Sequence, residues 1–213
     1  MKNTWKKRTI GLAIVVMMLF TNTGVSAAPK DQYTPASEVF PAAEVALEIQ
    51  EAKEQQVQPD KTTGGISIQS FGTYPTRYGV ILVTADAYKG LIPTGHAAII
   101  WTSTTVVESL SGGVTTGPNN WNTSKSTCYG VTTYGTTAAQ DNDASNWCYS
   151  QKGKPYNWNY YDVTTRSKFY CSQLVYAAFL DLYGINLNTS DFGSAIHPME
   201  LVNSSNTYTV YQK

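Results

Sequence analysis

The sequence predicts a mixed α+β domain, with strands first and helices after, on three observations. Three β-branched runs, Tyr78–Thr84 (YGVILVT), His96–Trp101 (HAAIIW) and Thr104–Leu110 (TTVVESL), follow one another, the last two across a short Thr/Ser turn. Further along, Cys171, Leu174, Val175, Ala178, Phe179 and Leu182 recur at helical spacing and form one apolar face, closed by Gly184. Between these regions Thr137–Lys152 reads as another helix, ended by Gly153 and Pro155. Val131–Tyr134 adds a candidate strand, and Asn157–Lys168 is a polar, aromatic loop.

The N-terminal 27 residues read as a secretory leader. Lys2, Lys6, Lys7 and Arg8 precede an apolar run, Ile10–Phe20, too short to span a bilayer comfortably. Val25 and Ala27 then occupy the −3 and −1 positions of a small-residue cleavage site. An uncleaved anchor is the alternative. With no second hydrophobic stretch, the processed chain is expected outside the cell and without an integral membrane segment. Removing the four basic residues from the total of 15 leaves 11 against 15 acidic ones. That balance gives no bulk-charge basis for binding nucleic acid or an anionic surface. The 15 Tyr and 5 Trp suit a strand-rich extracellular domain.

Residues 28–72 differ in composition. Ser37–Gln58 is rich in Glu, Ala and Gln and predicts a helix. Glu44, Glu48, Glu51 and Glu54 cover one side, with Phe40, Ala43, Leu47 and Ile49 as a thin apolar set. Pro59–Gly65 has linker composition. A solvated helix or tether is the expectation, and an inhibitory pro-segment the other reading. The domain proper is expected over 73–213, about 140 residues and enough for one buried core.

Three cysteines are an odd number for an oxidising compartment. Cys128 and Cys148 are spaced for a disulfide, which leaves Cys171 unpaired; two free buried thiols are the competing arrangement. Cys171 falls in the first turn of its helix. There the positive end of the dipole and unpaired N–H groups favour thiolate over thiol and can stabilise an oxyanion. Taken alone, such a cysteine is also an ordinary small core residue. His96 opens a strand, where an imidazole can meet a helix terminus, although taken alone it is better explained as a core histidine with a satisfied hydrogen bond. A hairpin centred on Thr102 places Glu108 directly opposite His96, with Cβ atoms roughly 5 Å apart, able to fix the imidazole's tautomer. A one-residue slip would turn Glu108 away.

These motifs resemble a family. His96 in GHAAII, Glu108 in VVES, the stretch KPYNWNYYD and Cys171 in FYCSQLVYAAF are similar to circularly permuted NlpC-type hydrolases of the YiiX/YebB-like branch. In that branch histidine precedes cysteine. The resemblance runs from about Tyr78 to Leu201. It implies a papain-like core, an antiparallel sheet carrying His96 packed against a helix carrying Cys171. Cys171 would be the nucleophile, His96 the general base and Glu108 the orienting residue. Val80 stands where relatives often carry an acidic residue, so a substrate contact made by that acid is not expected here. Tyr156 and Ser172 are further candidates for substrate or oxyanion contacts, Tyr156 equally as a buried anchor of its loop. His197, before Pro198, is expected to be structural.

The chemistry expected is thiol acyl transfer with no cofactor and no metal, since CxxC and HExxH are both absent. Secretion and the resemblance point to an amide bond in peptidoglycan stem peptides. A lipid N-acyl or ester substrate is the alternative within the same fold, and a non-enzymatic secreted binding domain the alternative outside it. Trp101, Trp121 and Trp158 are available to line a peptide groove or an acyl pocket.

Overall fold

The β-branched runs form the middle of an antiparallel sheet in the computed structural model, which describes residues 33–62, 71–87, 92 and 95–213. The leader expected over 1–27 lies outside the described residues. The strands are β1 (Ile81–Thr84), β2 (His96–Thr102), β3 (Thr105–Leu110), β4 (Gly113–Pro118), β5 (Tyr129–Thr133) and β6 (Thr207–Gln212). Their order across the sheet is β4-β3-β2-β1-β5-β6. Gly112–Gly113 and Gly117–Pro118 bound the edge strand β4. Pro118 ends it, where a missing backbone donor does no harm.

The β2–β3 register differs from the expected one. Thr102 pairs with Thr105, the register shifts between Ile100 and Thr102, and Glu108 stands opposite Ala98 rather than His96. Because the offset is two residues, Glu108 keeps its face, and His96 becomes its diagonal neighbour within reach of a long side chain.

The sheet has a core on each side. Ile81, Val83, Ala97, Ile99 and Val107 belong to the larger cluster with the helices. Val80, Leu82, Ala98, Ile100 and Val106 belong to a smaller one with Trp121, Cys128 and Tyr211. Two helices, α4 (Ala138–Ser150) and α5 (Cys171–Tyr183), contact β2, β3 and each other. Thr137 caps α4 in a capping box with Gln140. The short helix α3 (Trp121–Ser124) follows β4, and α6 (Glu200–Asn203) precedes β6.

The Cys128–Cys148 disulfide expected from spacing is not formed, and all three cysteines are free. Cys128 packs with Val80 and Leu82 on one side of the sheet. Cys148, on α4 at the other side, donates its thiol to the Leu174 carbonyl at 3.6 Å. With a sheet between them the two Cα atoms cannot approach within the ~7 Å that a disulfide requires.

α5 departs from a one-faced helix. Every residue from Cys171 to Phe179 is buried, Ser172 and Gln173 included, whereas Leu182 at the end of the apolar stripe is 40% exposed. A helix covered all round lies inside a core, and its polar side chains must find partners there.

The acidic N-terminal segment is docked rather than a free tether. Pro41 divides it into α1 (Ala36–Val39) and α2 (Ala42–Glu54). Val39, Phe40, Val45 and Ala52 are buried, and Leu47, expected in the apolar set, is 71% exposed. Restarting the helix at Pro41 rotates the inward face away from the one that an unbroken helix would present. Glu48 is buried, and its Oε2 accepts from Asn203 Nδ2 at 2.7 Å. Past α2, Asp60 and Lys61 join Arg77 and the fully buried Asp141 in a chain of ion pairs.

Candidate active site

The start of α5 is held from several directions. Tyr170, its N-cap, is extended, and its N–H donates to Gln173 Oε1 at 3.2 Å. Gln173 Oε1 also accepts from Asn157 Nδ2 at 2.9 Å, and Gln173 Nε2 donates to the Asp162 carbonyl at 3.1 Å. This buried network ties the 155–168 loop to the first turn. The helical ladder opens with Leu174 N–H to Tyr170 O at 3.0 Å, so the N–H groups of Cys171 and Ser172 lie ahead of it. They sit at the positive end of the helix, where a developing anion is stabilised.

His96 is the first residue of β2, and its Nε2 lies 2.6 Å from Glu108 Oε2. Cys171 hydrogen-bonds the same ring. Glu108 engages Nε2, which leaves Nδ1 to face the thiol, a tautomer assigned from the bonding pattern. Trp121 stacks on the imidazole, ring centroids 5.4 Å apart and planes 25° apart. Burial pulls the His96 pKa down, but hydrogen bonds with Cys171 and Glu108 and their negative charge outweigh it and raise it to about 9. His96 therefore holds a proton between two acidic partners at neutral pH. The neighbouring strand yields to the carboxylate, since a Cβ on Gly117 would come within 2.2 Å of Glu108 Oε1.

Tyr156 reaches the same place from the loop. Its hydroxyl is buried beside that of Tyr160 without a hydrogen bond of normal geometry among the described residues. Burial, and then the charge of Cys171, raise its pKa well above the ordinary value, so it stays a proton donor. Ser172 does not share this role through its side chain. Fully buried, its hydroxyl donates to the Ile196 carbonyl at 2.6 Å and is committed to holding that loop.

Of the three tryptophans, Trp121 lies against His96 and Trp158 against Tyr156, with ring centroids 4.6 Å apart. Trp101 instead stacks flat on Tyr149 of α4 at 3.7 Å. His197 is buried, and its Nδ1 accepts from Met199 N–H at 3.2 Å, as suits a structural loop residue. The expectations did not include the Trp121 platform, the space left at Gly117 or the Asn157–Gln173 link. Only Gln173 had a visible signal, as glutamine three residues after the cap. Among the described residues, no group of three or more His, Cys, Asp or Glu is placed to hold a metal ion.

Comparison with known proteins agrees with this fold. Residues 80–209 match the family model of permuted papain-like amidases of the YaeF/YiiX type. The fold resembles the crystal structure of metalloprotein YiiX from Escherichia coli O157:H7, with a TM-score of 0.52 and 14% identity. That match covers 66% of this chain and 99% of the other. No curated protein matches the sequence significantly. The family match takes in His96, Glu108 and Cys171, and the chain belongs to the permuted papain-like amidases of the YaeF/YiiX family.

Proposed function

We propose that this amidase-family chain is a secreted thiol hydrolase that cleaves an amide bond in cell-wall peptides, using Cys171, His96 and Glu108. The observation that carries the reading is the buried line from thiol to imidazole to carboxylate, closed by the 2.6 Å contact between His96 and Glu108. With the proton of the pair held on His96, the Cys171 thiolate attacks the substrate carbonyl carbon. The oxyanion that forms is met by the Cys171 backbone N–H and the Tyr156 hydroxyl. The imidazolium gives its proton to the leaving amine as the C–N bond breaks, which leaves a thioester on Cys171. Water, deprotonated by His96, then releases the acid and restores the thiol. Glu108 accepts the Nε2–H throughout and keeps the ring turned toward sulfur. The leader-like composition of 1–27 supports action outside the cell, where stem peptides are the abundant amide substrate.

The test is turnover of peptidoglycan stem-peptide fragments beside acyl-amide lipids, read by mass spectrometry, with Cys171→Ala as control. New amine and acid ends in the peptides, absent with Cys171→Ala, support the proposal. Fatty acid released from the lipids instead moves the substrate to an N-acyl lipid. Wall binding that Cys171→Ala retains in full, with neither substrate turned over, replaces the enzyme with a binding domain.

A further inference from the structure

Phe40, between α1 and α2, is 1% exposed although the segment carrying it has few other apolar anchors. Its ring packs edge-on against Tyr160, Phe192 and His197, each with centroids 5.3 Å away. Two of these walls adjoin the reactive groups. Tyr160 packs against Tyr170 and Tyr156, with centroids 5.2 and 6.5 Å away, and its hydroxyl is within electrostatic reach of Cys171. His197 lies against Gly95, where an added Cβ would come 3.0 Å from the imidazole Cε1, and Gly95 precedes His96. The residue before His197, Ile196, takes the Ser172 hydroxyl beside the nucleophile. The Phe40 pocket is thus one residue layer from Cys171 on one side and from His96 on the other.

Past α2 the arm is tied by the ion pairs of Asp60 and Lys61, whereas the helical part is held by a few side chains. α2 buries only Val45, Glu48 and Ala52, and Glu48 stands where Asp191 and Glu200 repel it. The arm also lies outside the family match, which begins at residue 80. Cys171 itself is 1% exposed. An aromatic-walled pocket one residue layer from a nucleophile is suited to an apolar group at the end of a short substrate chain.

We propose that this pocket is a substrate subsite for an apolar group about the size of a benzyl, and that Phe40 is its intramolecular occupant, so that the docked arm fills the subsite and leaves the thiol itself to small reagents. The inference rests on the thiol-hydrolase reading and adds to it the shape of one substrate group. Opening the subsite requires the arm to leave or the ring of Phe40 to be removed.

The experiment compares acylation of Cys171 by p-nitrophenyl acetate and p-nitrophenyl 4-phenylbutyrate, whose ring stands a short chain beyond the carbonyl, in the wild-type chain, Phe40→Ala and Phe40→Leu. In each case sulfur displaces p-nitrophenolate, and the acyl group is located by mass spectrometry. With Phe40→Ala, the phenylbutyrate-to-acetate rate ratio is expected to rise on the order of tenfold or more, the scale on which apolar pockets discriminate. Phe40→Leu keeps an apolar anchor for the arm and is expected to give a smaller rise in the same direction. A thermal melt identifies any variant that has lost its fold, and Phe40→Leu then carries the test. An unchanged ratio in a folded variant, with Cys171 acylated, overturns the subsite and leaves the hydrolase standing. No acylation of Cys171 by either ester in any of the proteins overturns the hydrolase reading and the subsite with it.

Discussion

Ser109 donates its hydroxyl to the carbonyl of Phe169 at 2.6 Å, across 60 residues of sequence and two residues ahead of Cys171. Its neighbour Glu108 holds His96. Successive strand residues point to opposite faces, so two adjacent positions of β3 brace the two halves of the site. The strand is thus a ruler between nucleophile and base. Ser109→Ala leaves a buried carbonyl without its donor, at a cost of about 1–3 kcal/mol. The expected result is a lower melting temperature and a kcat that falls more than KM rises, with partial recovery in Ser109→Thr. Steady-state kinetics on the peptide substrate, beside thermal melts, check this.

Gly117→Ala is expected to disturb the base without touching it. The new methyl would stand 2.2 Å from Glu108 Oε1, so the carboxylate must move off His96. Activity should fall at least tenfold, with a stability loss of about 1–3 kcal/mol from overpacking. Gly112 provides the control, because a Cβ there meets nothing within 4 Å and Gly112→Ala should leave activity unchanged.

The docking of α2 should weaken as pH rises. Burial raises the Glu48 carboxyl from 4.5 to about 7, with Asn203 opposing as a hydrogen-bond donor and Asp191 and Glu200 adding to the rise. A carboxyl whose folded pKa is raised contributes stability in full below pH 4.5 and loses it as pH climbs through 7. Amide hydrogen exchange of α2, corrected for intrinsic rates, should show protection falling across that window, and Glu48→Gln should flatten the dependence. Protection that rises from pH 4.5 to 7 would contradict this.

His96 predicts a second window at higher pH. Its folded pKa of about 9 lies above the ordinary 6.5, so its contribution is complete below pH 6.5 and lost as pH rises through 9. Urea denaturation midpoints should fall between these limits. The slope should shrink in Cys171→Ala and in Glu108→Gln, each of which removes a partner that raises the imidazole's pKa.

The core of this arrangement was legible in the residues. The period of α5 and the β-branched runs set out the helix and the central strands, and the His96, Glu108 and Cys171 motifs carried the family resemblance. What local pattern cannot carry is long-range partnership. The β2–β3 register depended on an irregularity after Ile100 that alternation does not reveal. The Cys128–Cys148 spacing suited a disulfide, yet a sheet separates the two thiols. Strands β4 and β6 were not among the expectations: glycine and proline bound β4, and the run TYTVYQ of β6 is short and isolated from the other strands in sequence. Phe40 resembled one apolar residue among several, and only the fold shows that Tyr160, Phe192 and His197 enclose it.

The most direct measurement is the rate at which iodoacetamide alkylates Cys171, from pH 5 to 9, in the wild type, His96→Ala and Glu108→Gln. Peptide mapping separates the signal from the buried Cys128 and Cys148. If the thiol and imidazole act as a pair, the wild type reacts at pH 6 at least tenfold faster than His96→Ala, with Glu108→Gln between them. Equal rates in all three proteins across the range would contradict the pair, and with it the hydrolase.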